Sequence, residues 1–264
     1  IIIFYRQNIL LGMEMKKKLV VFPNDSIFDY YTKGEIKERY FNPKNWFDQI
    51  DVISLFENEI ESEKVQTLAG TATFNIHTLG KVNLSNYKSY EKKITSLISD
   101  IEPSVIRAFN PRVQGWLATK SAKTLNIPIV VSLHTNYYQQ KELAKKEKKY
   151  LQFLKLSYSS RSLEKYVLKN CNSVICVYEF IVPYAKKMKA KNIEIIYNKV
   201  DLTKFSNNNS TKSNSPTIIS VGRLISQKTR HNIIRSIKDL DVKLLIIGDG
   251  PDYEQYIDLI NSLN

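Results

Sequence analysis

Short apolar segments alternate with longer amphipathic segments along most of the chain, and this alternation restricts the possible folds more than any other feature. The apolar segments are rich in β-branched residues, as strands buried in a parallel sheet are. Strands that alternate with helices predict an α/β fold, a mainly parallel sheet wrapped by helices. The predicted strands of the first part of the chain are Lys18–Phe22, Asp51–Leu55, Thr73–Thr78, Val105–Phe109, Pro128–Leu133, Ser173–Val177 and Glu194–Tyr197.

The segments between these strands have the periodicity of helices. In Tyr87–Ser99, the side chains of Tyr90, Ile94, Leu97 and Ile98 fall on one face of a helix. Such a face would pack on the sheet. The other predicted helices are Val113–Leu125, Lys141–Leu156 and Ser160–Lys169.

A polar segment divides the chain. Residues 206–216 contain no apolar side chain except that of the terminal proline, so we predict a linker there. Residues 16–205 then form a Rossmann-like first domain, and residues 217–264 form an incomplete second one. Residues 1–15 precede the basic start of the first strand, and we expect them to be a non-native or disordered leader. We also expect the chain to be a fragment.

Composition narrows the class of protein. Hydrophobic residues make up 43% of the chain, and no apolar run approaches the roughly 20 residues of a membrane-spanning helix. Cys171 and Cys176 form neither a disulfide framework nor a metal site, so we expect a reducing, cytoplasmic location. The net charge of +13 suits an anionic partner or reflects a lysine-rich sequence bias. Neither a recognition helix nor an arginine-rich aromatic sheet is evident, which argues against nucleic-acid binding.

Two strand tips in the second domain carry the clearest functional pattern. The apolar run that ends at Val221 leads into Gly222 and Arg223, and Lys228 follows five positions after Arg223. A second apolar run ends in the turn Gly248–Pro251, which contains Asp249 and Gly250. Open α/β sheets bind ligands at the carboxyl ends of their strands. A guanidinium and an ammonium group there suit a diphosphate.

These motifs resemble the donor-binding half of the GT-B glycosyltransferases, and specifically glycosyltransferase family 4. That family carries Gly-Arg-x-x-x-x-Lys-Gly followed by Gly-x-Gly-Pro, although Thr229 replaces the second glycine here. The resemblance implies a GT-B fold with two Rossmann-like domains and sugar transfer from a nucleotide-sugar with retention of configuration. It assigns Gly222, Arg223 and Lys228 to the donor diphosphate, with no metal ion or other cofactor.

The resemblance also assigns roles outside the diphosphate. Gly248, Asp249 and Gly250 would lie beside the donor nucleoside. His134, at the tip of a first-domain strand, would face the transferred sugar as the catalytic residue of the acceptor side. The acceptor would be a glycan, a lipid or another molecule.

Other polar features have simpler explanations. We expect His77 and His231 to be structural. Asn110 and Pro111 fit a helix N-cap followed by proline at the first helical position.

The Lys141–Leu156 segment has two explanations. It carries a basic block, Lys145–Lys149, before a late apolar cluster. Lipid-directed members of the resembled family dock on membranes through such patches, which would make an anionic membrane face a partner. We favour the other explanation, a solvated helix that packs its apolar end on the core.

One departure leaves the function open. Family members carry a Glu-x7-Glu element beyond the Gly-x-Gly-Pro loop, and this sequence contains none after Pro251. The alternative to an active glycosyltransferase is therefore a catalytically incomplete binding module or remnant of such an enzyme.

Overall fold

A computed structural model of the chain describes residues 16–58, 60–198, 200, 202 and 214–263. The chain divides into two compact units after residue 199. The predicted leader, residues 1–15, and residues 206–213 of the predicted linker lie outside the described residues.

The first unit is built on a parallel seven-stranded sheet. Its strand order is β3-β2-β1-β4-β5-β6-β7, and every neighbouring pair is parallel. This is the doubly wound order, in which the direction of winding reverses between β1 and β4. The strands are β1 (Lys18–Phe22), β2 (Gln49–Ser54), β3 (Thr73–Thr78), β4 (Val105–Ala108), β5 (Ile129–Leu133), β6 (Ser173–Cys176) and β7 (Ile193–Ile195).

Helices and irregular segments cover both faces of this sheet. Alternate residues of β1 belong to two separate apolar clusters, Val20 to the larger one and Leu19 and Val21 to the other, as the two-residue period of a strand requires. The predicted α/β class is therefore confirmed. The α-helices are α1 (Ile27–Thr32), α2 (Glu91–Ile101), α3 (Val113–Leu125), α4 (Tyr137–Lys146), α5 (Tyr150–Tyr158), α6 (Lys165–Asn170) and α7 (Val182–Lys187).

One predicted helix is divided in the structure. Lys141–Leu156 is split between α4 and α5, because Glu147 ends the first helix and Lys148 adopts a φ of +56°. Repulsion within the lysine block disfavours a continuous helix at this point. The prediction that the apolar end packs on the core is wrong for α5, which has no buried residue; Leu151 is 78% exposed and Leu154 61% exposed.

The second unit contains a parallel pair of strands, β8 (Thr217–Val221) and β9 (Lys243–Ile247). Two helices accompany them, α8 (Arg230–Ser236) and α9 (Tyr253–Leu263). The buried side chains that join these elements are Leu224, Ile234 and Tyr256. The described part of this unit therefore has a much smaller core than the first, and much of β8 is exposed.

Candidate functional site

The loops that follow β8 and β9 lie side by side. The parallel pairing of the strands ends at Val221 and Ile247, but hydrogen bonds continue past that point. The Gly222 amide donates to the Ile247 carbonyl at 2.9 Å, and the Leu224 amide donates to the Asp249 carbonyl at 2.8 Å. The structure thus places the predicted diphosphate-binding loop and the predicted nucleoside-side loop at one edge of this sheet.

Glycine is required in the second of these loops. Gly248 has a φ of +151°, and a Cβ atom there would lie 2.0 Å from the Gly222 carbonyl oxygen. Gly250 has a φ of +156°, and its Cβ would lie 2.3 Å from the Leu224 carbonyl oxygen. Side-chain-bearing residues rarely adopt these conformations. The backbone of the first loop fills the space that both missing side chains leave.

The side chains of the two residues predicted to bind the diphosphate are accessible to solvent. Arg223 directly follows Gly222, and Lys228 ends a short 3₁₀ turn, Ser226–Lys228. Both side chains are exposed, and neither forms an ion pair with a described carboxylate. The structure therefore presents two exposed cations between β8 and α8, at the carboxyl edge of the sheet.

A third cation, which the sequence did not predict, forms hydrogen bonds to the backbone of this loop. Arg230, the first residue of α8, is only 2% exposed. Its Nη1 donates to the Arg223 carbonyl at 2.6 Å, and its Nη2 donates to the Gly222 carbonyl at 2.9 Å. No motif distinguishes Arg230 from the other cations of the sequence; its role follows only from the way α8 starts beneath the loop.

His134 occupies the predicted place at the tip of a strand in the first unit. It directly follows β5, and its ring stacks on Phe109 with centroids 5.4 Å apart and planes 10° apart. Its Nε2 is buried without a hydrogen-bond partner. Burial, together with the positive charge of Arg107, lowers the pKa of His134 to about 4. The imidazole is therefore neutral at neutral pH and has one unused hydrogen-bonding nitrogen.

Asn110 does not cap a helix as predicted. The helix α3 starts at Val113 with Arg112 as its N-cap residue, so Asn110 and Pro111 both precede it. The Asn110 side chain instead accepts from the Arg112 amide at 2.9 Å and donates to the Asn24 side chain at 3.1 Å. It thereby joins the loops after β1 and β4, at the point where the strand order reverses.

A buried carboxylate, that of Glu164, connects three segments of the first unit by hydrogen bonds. Glu164 is 1% exposed and accepts from Ser159 at 3.0 Å, Tyr184 at 2.5 Å and the Arg112 Nε at 3.4 Å. The Arg112 Nη2 also donates to Gln140 in α4 at 2.7 Å. Glu164 satisfies this guanidinium, so the pair serves the architecture of the loops.

The remaining histidine of the first unit is structural, as predicted. His77 contacts the buried carboxylate of Asp51 at 2.8 Å, and Asn75 and Gln49 donate to the same carboxylate. Burial raises the pKa of Asp51, but these hydrogen bonds outweigh it and the net shift is downward. His231 lies in α8, and no described hydrogen bond links it to the two loops.

Other possible sites lie elsewhere or do not form. A cavity of about 420 Å³ is lined by Leu84–Ser89 and Tyr158, none of which is a predicted site residue. Within the described ranges, no three acidic, histidine or cysteine side chains are placed to hold a metal ion. Every described helix is too short or too polar to span a bilayer.

Comparisons with known proteins agree with this architecture. Residues 48–204 match the model of Glycosyltransferase Family 4, whereas no curated protein sequence matches the chain. The lipopolysaccharide outer core galactosyltransferase WaaB superposes with a TM-score of 0.62 at 11% identity, over 93% of this chain and 65% of that one.

Two further solved structures resemble the chain. Alr3699/HepE of Anabaena, solved with UDP and glucose, has a TM-score of 0.59 at 14% identity over 92% of this chain and 64% of its own. A glycosyltransferase of Rickettsia africae has a TM-score of 0.59 at 17% identity over 94% and 64%. The chain thus spans slightly less than two thirds of each of these proteins. The shared architecture confirms the predicted GT-B-type fold.

Proposed function

The chain belongs to glycosyltransferase family 4, and on that premise we propose that it transfers a sugar from a nucleotide-sugar donor to an acceptor with retention of configuration. The observation that carries this proposal is the pair of hydrogen-bonded loops after β8 and β9, which presents two exposed cations that pair with no described carboxylate. Fold alone supports many functions, so the proposal depends on these residues.

Arg223 and Lys228 would neutralise the donor diphosphate. Negative charge accumulates on the leaving phosphate as the sugar departs, and fixed cations stabilise that charge most when it is largest. Arg230 would not contact the diphosphate. Its guanidinium instead holds the Gly222–Arg223 backbone by hydrogen bonds to two carbonyls. We therefore propose that the diphosphate is bound by these cations without a metal ion, and that Asp249 lies beside the nucleoside.

His134 would contact the transferred sugar from the acceptor side. A neutral, partly buried imidazole can contact a sugar hydroxyl through the part of its ring that remains exposed. Its stacking on Phe109 fixes the plane of the ring. We assign His134 to orientation of the sugar and not to cationic stabilisation.

We also propose that the protein is cytoplasmic and that it contacts the anionic inner face of the membrane. Tyr150, Leu151 and Leu154 of α5 are 65%, 78% and 61% exposed. The lysines of the Lys145–Lys149 block directly precede them. Exposed apolar side chains beside a basic block suit an interface with anionic lipids, and a lipid-linked acceptor would be found there.

Turnover of a donor panel tests the proposed reaction. Purified chain is incubated with UDP- and GDP-sugars, and the released nucleoside diphosphate is measured with and without a mixture of glycan acceptors. UDP-sugars come first because the HepE structure holds UDP and glucose. We expect release above background, reduced at least tenfold in Arg223→Ala and in His134→Ala. Arg235→Ala, which removes an exposed cation from α8, should behave as the unaltered chain.

Two outcomes would contradict this proposal. Release that is unchanged in Arg223→Ala would mean that the cations are not the donor site. Donor or acceptor binding without any release would favour the remnant that binds but does not catalyse. Retention is checked separately, because the product of a retaining enzyme keeps the anomeric signal of the donor sugar in proton NMR.

The membrane contact has its own test. Vesicles of phosphatidylglycerol with phosphatidylcholine should sediment the chain, and vesicles of phosphatidylcholine alone should not. Leu151→Ser with Leu154→Ser should abolish sedimentation, because both side chains are exposed and their replacement leaves the core intact. Equal sedimentation of the variant would show that α5 is not the contact.

A further inference from the structure

Arg107 is a partly buried cation of the first unit that forms no ion pair with a described acidic side chain. It lies in β4, where the two-residue period of the strand places it on the same face of the sheet as Val105 and Phe109. Its Nε donates to Ser132 at 3.2 Å, and its guanidinium carbon lies 4.4 Å from the centre of the Phe109 ring. Among the described residues, no carboxylate forms an ion pair with it, and Nη1 and Nη2 have no hydrogen-bond partner.

This arrangement is uncommon for a partly buried cation. Burial lowers the pKa of the Arg107 guanidinium, and only the Tyr40 phenol opposes this shift. Buried charges are normally paired, because removal from water is costly. Arg112, in the same unit, shows the ordinary arrangement, since Glu164 and Gln140 accept its hydrogen bonds. Among the described residues, Arg107 has no such acceptor for its two terminal nitrogens.

A second unsatisfied group lies beside it. His134 stacks on Phe109, the same ring that the Arg107 guanidinium contacts. The His134 Nε2 is buried without a partner, and the charge of Arg107 contributes to the lowered pKa of that imidazole. Arg107 and His134 therefore contact the same aromatic ring, at the carboxyl ends of β4 and β5.

The geometry of the guanidinium suits an anion. Asp25 and Glu35 act on the Tyr40 phenol electrostatically, but neither pairs with Arg107. A guanidinium with two free terminal nitrogens matches the paired oxygens of a phosphate or a carboxylate. The Arg107 Nε already donates to Ser132, which fixes that side of the guanidinium. Nη1 and Nη2 remain for a ligand.

We infer that Arg107 binds an oxyanion, a phosphate or a carboxylate, carried by the acceptor, near His134, which orients the transferred sugar. This rests on the proposed function, because it places the acceptor in the first unit. It restricts the acceptor to an anionic class, such as a sugar phosphate or a uronic acid. It also explains why Arg107, in β4, has no ion-pair partner among the described residues.

The test observes Arg107 directly in the chain carrying Arg223→Ala and Lys228→Ala, where the donor site cannot hold phosphate. Glucose 6-phosphate, glucuronate, inorganic phosphate and glucose are titrated separately. The Arg107 Nε–Hε signal and the His134 imidazole signals are followed by nitrogen-15 NMR. We expect glucose 6-phosphate or glucuronate to shift both signals and to bind at least tenfold more tightly than glucose. Whichever of the two binds more tightly identifies the oxyanion.

Two substitutions establish the role of the guanidinium. Arg107→Met should weaken binding of the charged sugar at least tenfold, and Arg107→Lys should weaken it less, because it keeps the charge but loses the fork. Arg161→Met removes one exposed cation from the same unit and should have no effect. If Arg107→Met does not fold, the lysine variant and the signals of the unsubstituted Arg107 still decide the question.

Three results would overturn the inference: no shift of the Arg107 signal, equal binding of glucose and the charged sugars, or equal affinity in Arg107→Met. Inorganic phosphate that binds as tightly as the sugar phosphate would also count against an acceptor site. UDP binding to the otherwise unaltered chain separates this failure from that of the proposed function. Normal UDP binding with no oxyanion binding removes only this inference, whereas oxyanion binding without UDP binding removes the donor assignment.

Discussion

The edge of the seven-stranded sheet and the edge of the two-stranded sheet both carry candidate ligand loops, but they hold them in different ways. At the first edge, His134 and Arg107 contact a buried aromatic ring, and the strands beneath them are part of a large core. At the second edge, Ile219 is 59% exposed and Val221 71% exposed, and the loops are joined by backbone hydrogen bonds.

This difference separates two ways of building a site. A core that is buried on both faces of a sheet can hold side chains in fixed positions, including neutral imidazoles and desolvated cations. A small unit with few buried side chains depends on tight backbone contacts, for which glycine is required, and its proposed ligand-binding cations, Arg223 and Lys228, are exposed to water. We therefore expect the second edge to be sensitive to backbone changes and the first to be sensitive to changes of charge and pH.

The largest expected effect is that of Gly248→Ala. The added Cβ would lie 2.0 Å from the Gly222 carbonyl oxygen, and the φ of +151° disfavours any side chain. Together these should cost about 4 kcal/mol, enough to unfold a small unit. Hydrogen exchange should show lost protection of the β8 and β9 amides.

Gly80→Ala is the matched control for this comparison. Gly80 has a φ of +77° but no atom within 4 Å of the added Cβ, so only the backbone strain remains. We expect a cost of about 1 kcal/mol in the first unit, measured by urea unfolding followed through Trp46 and Trp116. Equal costs at the two glycines would show that the contact between the second-unit loops is not as tight as described.

The pH dependence of stability tests the first edge. The pKa of His134 is about 4 in the folded chain, below the roughly 6.5 of an unfolded histidine. The unfolded chain therefore binds the proton first as the pH falls. The stabilisation is fully present above about pH 6.5 and is lost toward pH 4, a change of about 3 kcal/mol.

His134→Gln should remove this contribution. The difference in unfolding free energy between the unaltered chain and the variant should depend on pH between about 4 and 6.5 and be constant above that range. Other titrating groups are common to both proteins and cancel in the difference. A difference that does not change with pH would mean that the imidazole is not buried beside Arg107.

Arg230→Met should have a smaller effect on the second unit. It removes two hydrogen bonds to the Gly222 and Arg223 carbonyls, worth about 2 kcal/mol for a charged donor. Loss of amide protection at Gly222 and Leu224 measures this cost. The control Arg235→Met, at an exposed position of the same helix, should leave protection unchanged.

The smallest expected effect is that of chelation. If Arg223 and Lys228 alone neutralise the diphosphate, then excess EDTA should leave nucleoside diphosphate release unchanged. Loss of release on chelation, restored by added Mg²⁺ or Mn²⁺, would contradict a metal-free diphosphate site.

The sequence predicted the fold well where local signals mark the ends of an element. Thr73–Thr78 and Val113–Leu125 form the predicted elements with the predicted bounds, and Asn126 and Pro128 are the residues that end the helix in the sequence. The Lys141–Leu156 prediction failed because periodicity cannot anticipate a chain break within a lysine block.

The candidate site was predictable only in part. The motifs around Gly222 and Gly248 identified the loops that the structure joins. Arg230 and Arg107 could not be found in this way, because a buried cation looks like a surface cation in a sequence with 39 lysines and arginines. Their roles depend on which carbonyls or rings surround them, and the fold alone determines that.

Calorimetric titration of UDP, and then GDP, into the chain tests the central claim most directly. We predict saturable binding of one of them, weakened about 100-fold when Arg223→Ala and Lys228→Ala are combined, since two charge-assisted contacts are lost. Arg107→Met should bind the nucleotide as the unaltered chain does. Absence of binding by the folded chain, or equal affinity in the double variant, would contradict the assignment of the loops after β8 and β9 to a nucleotide-sugar.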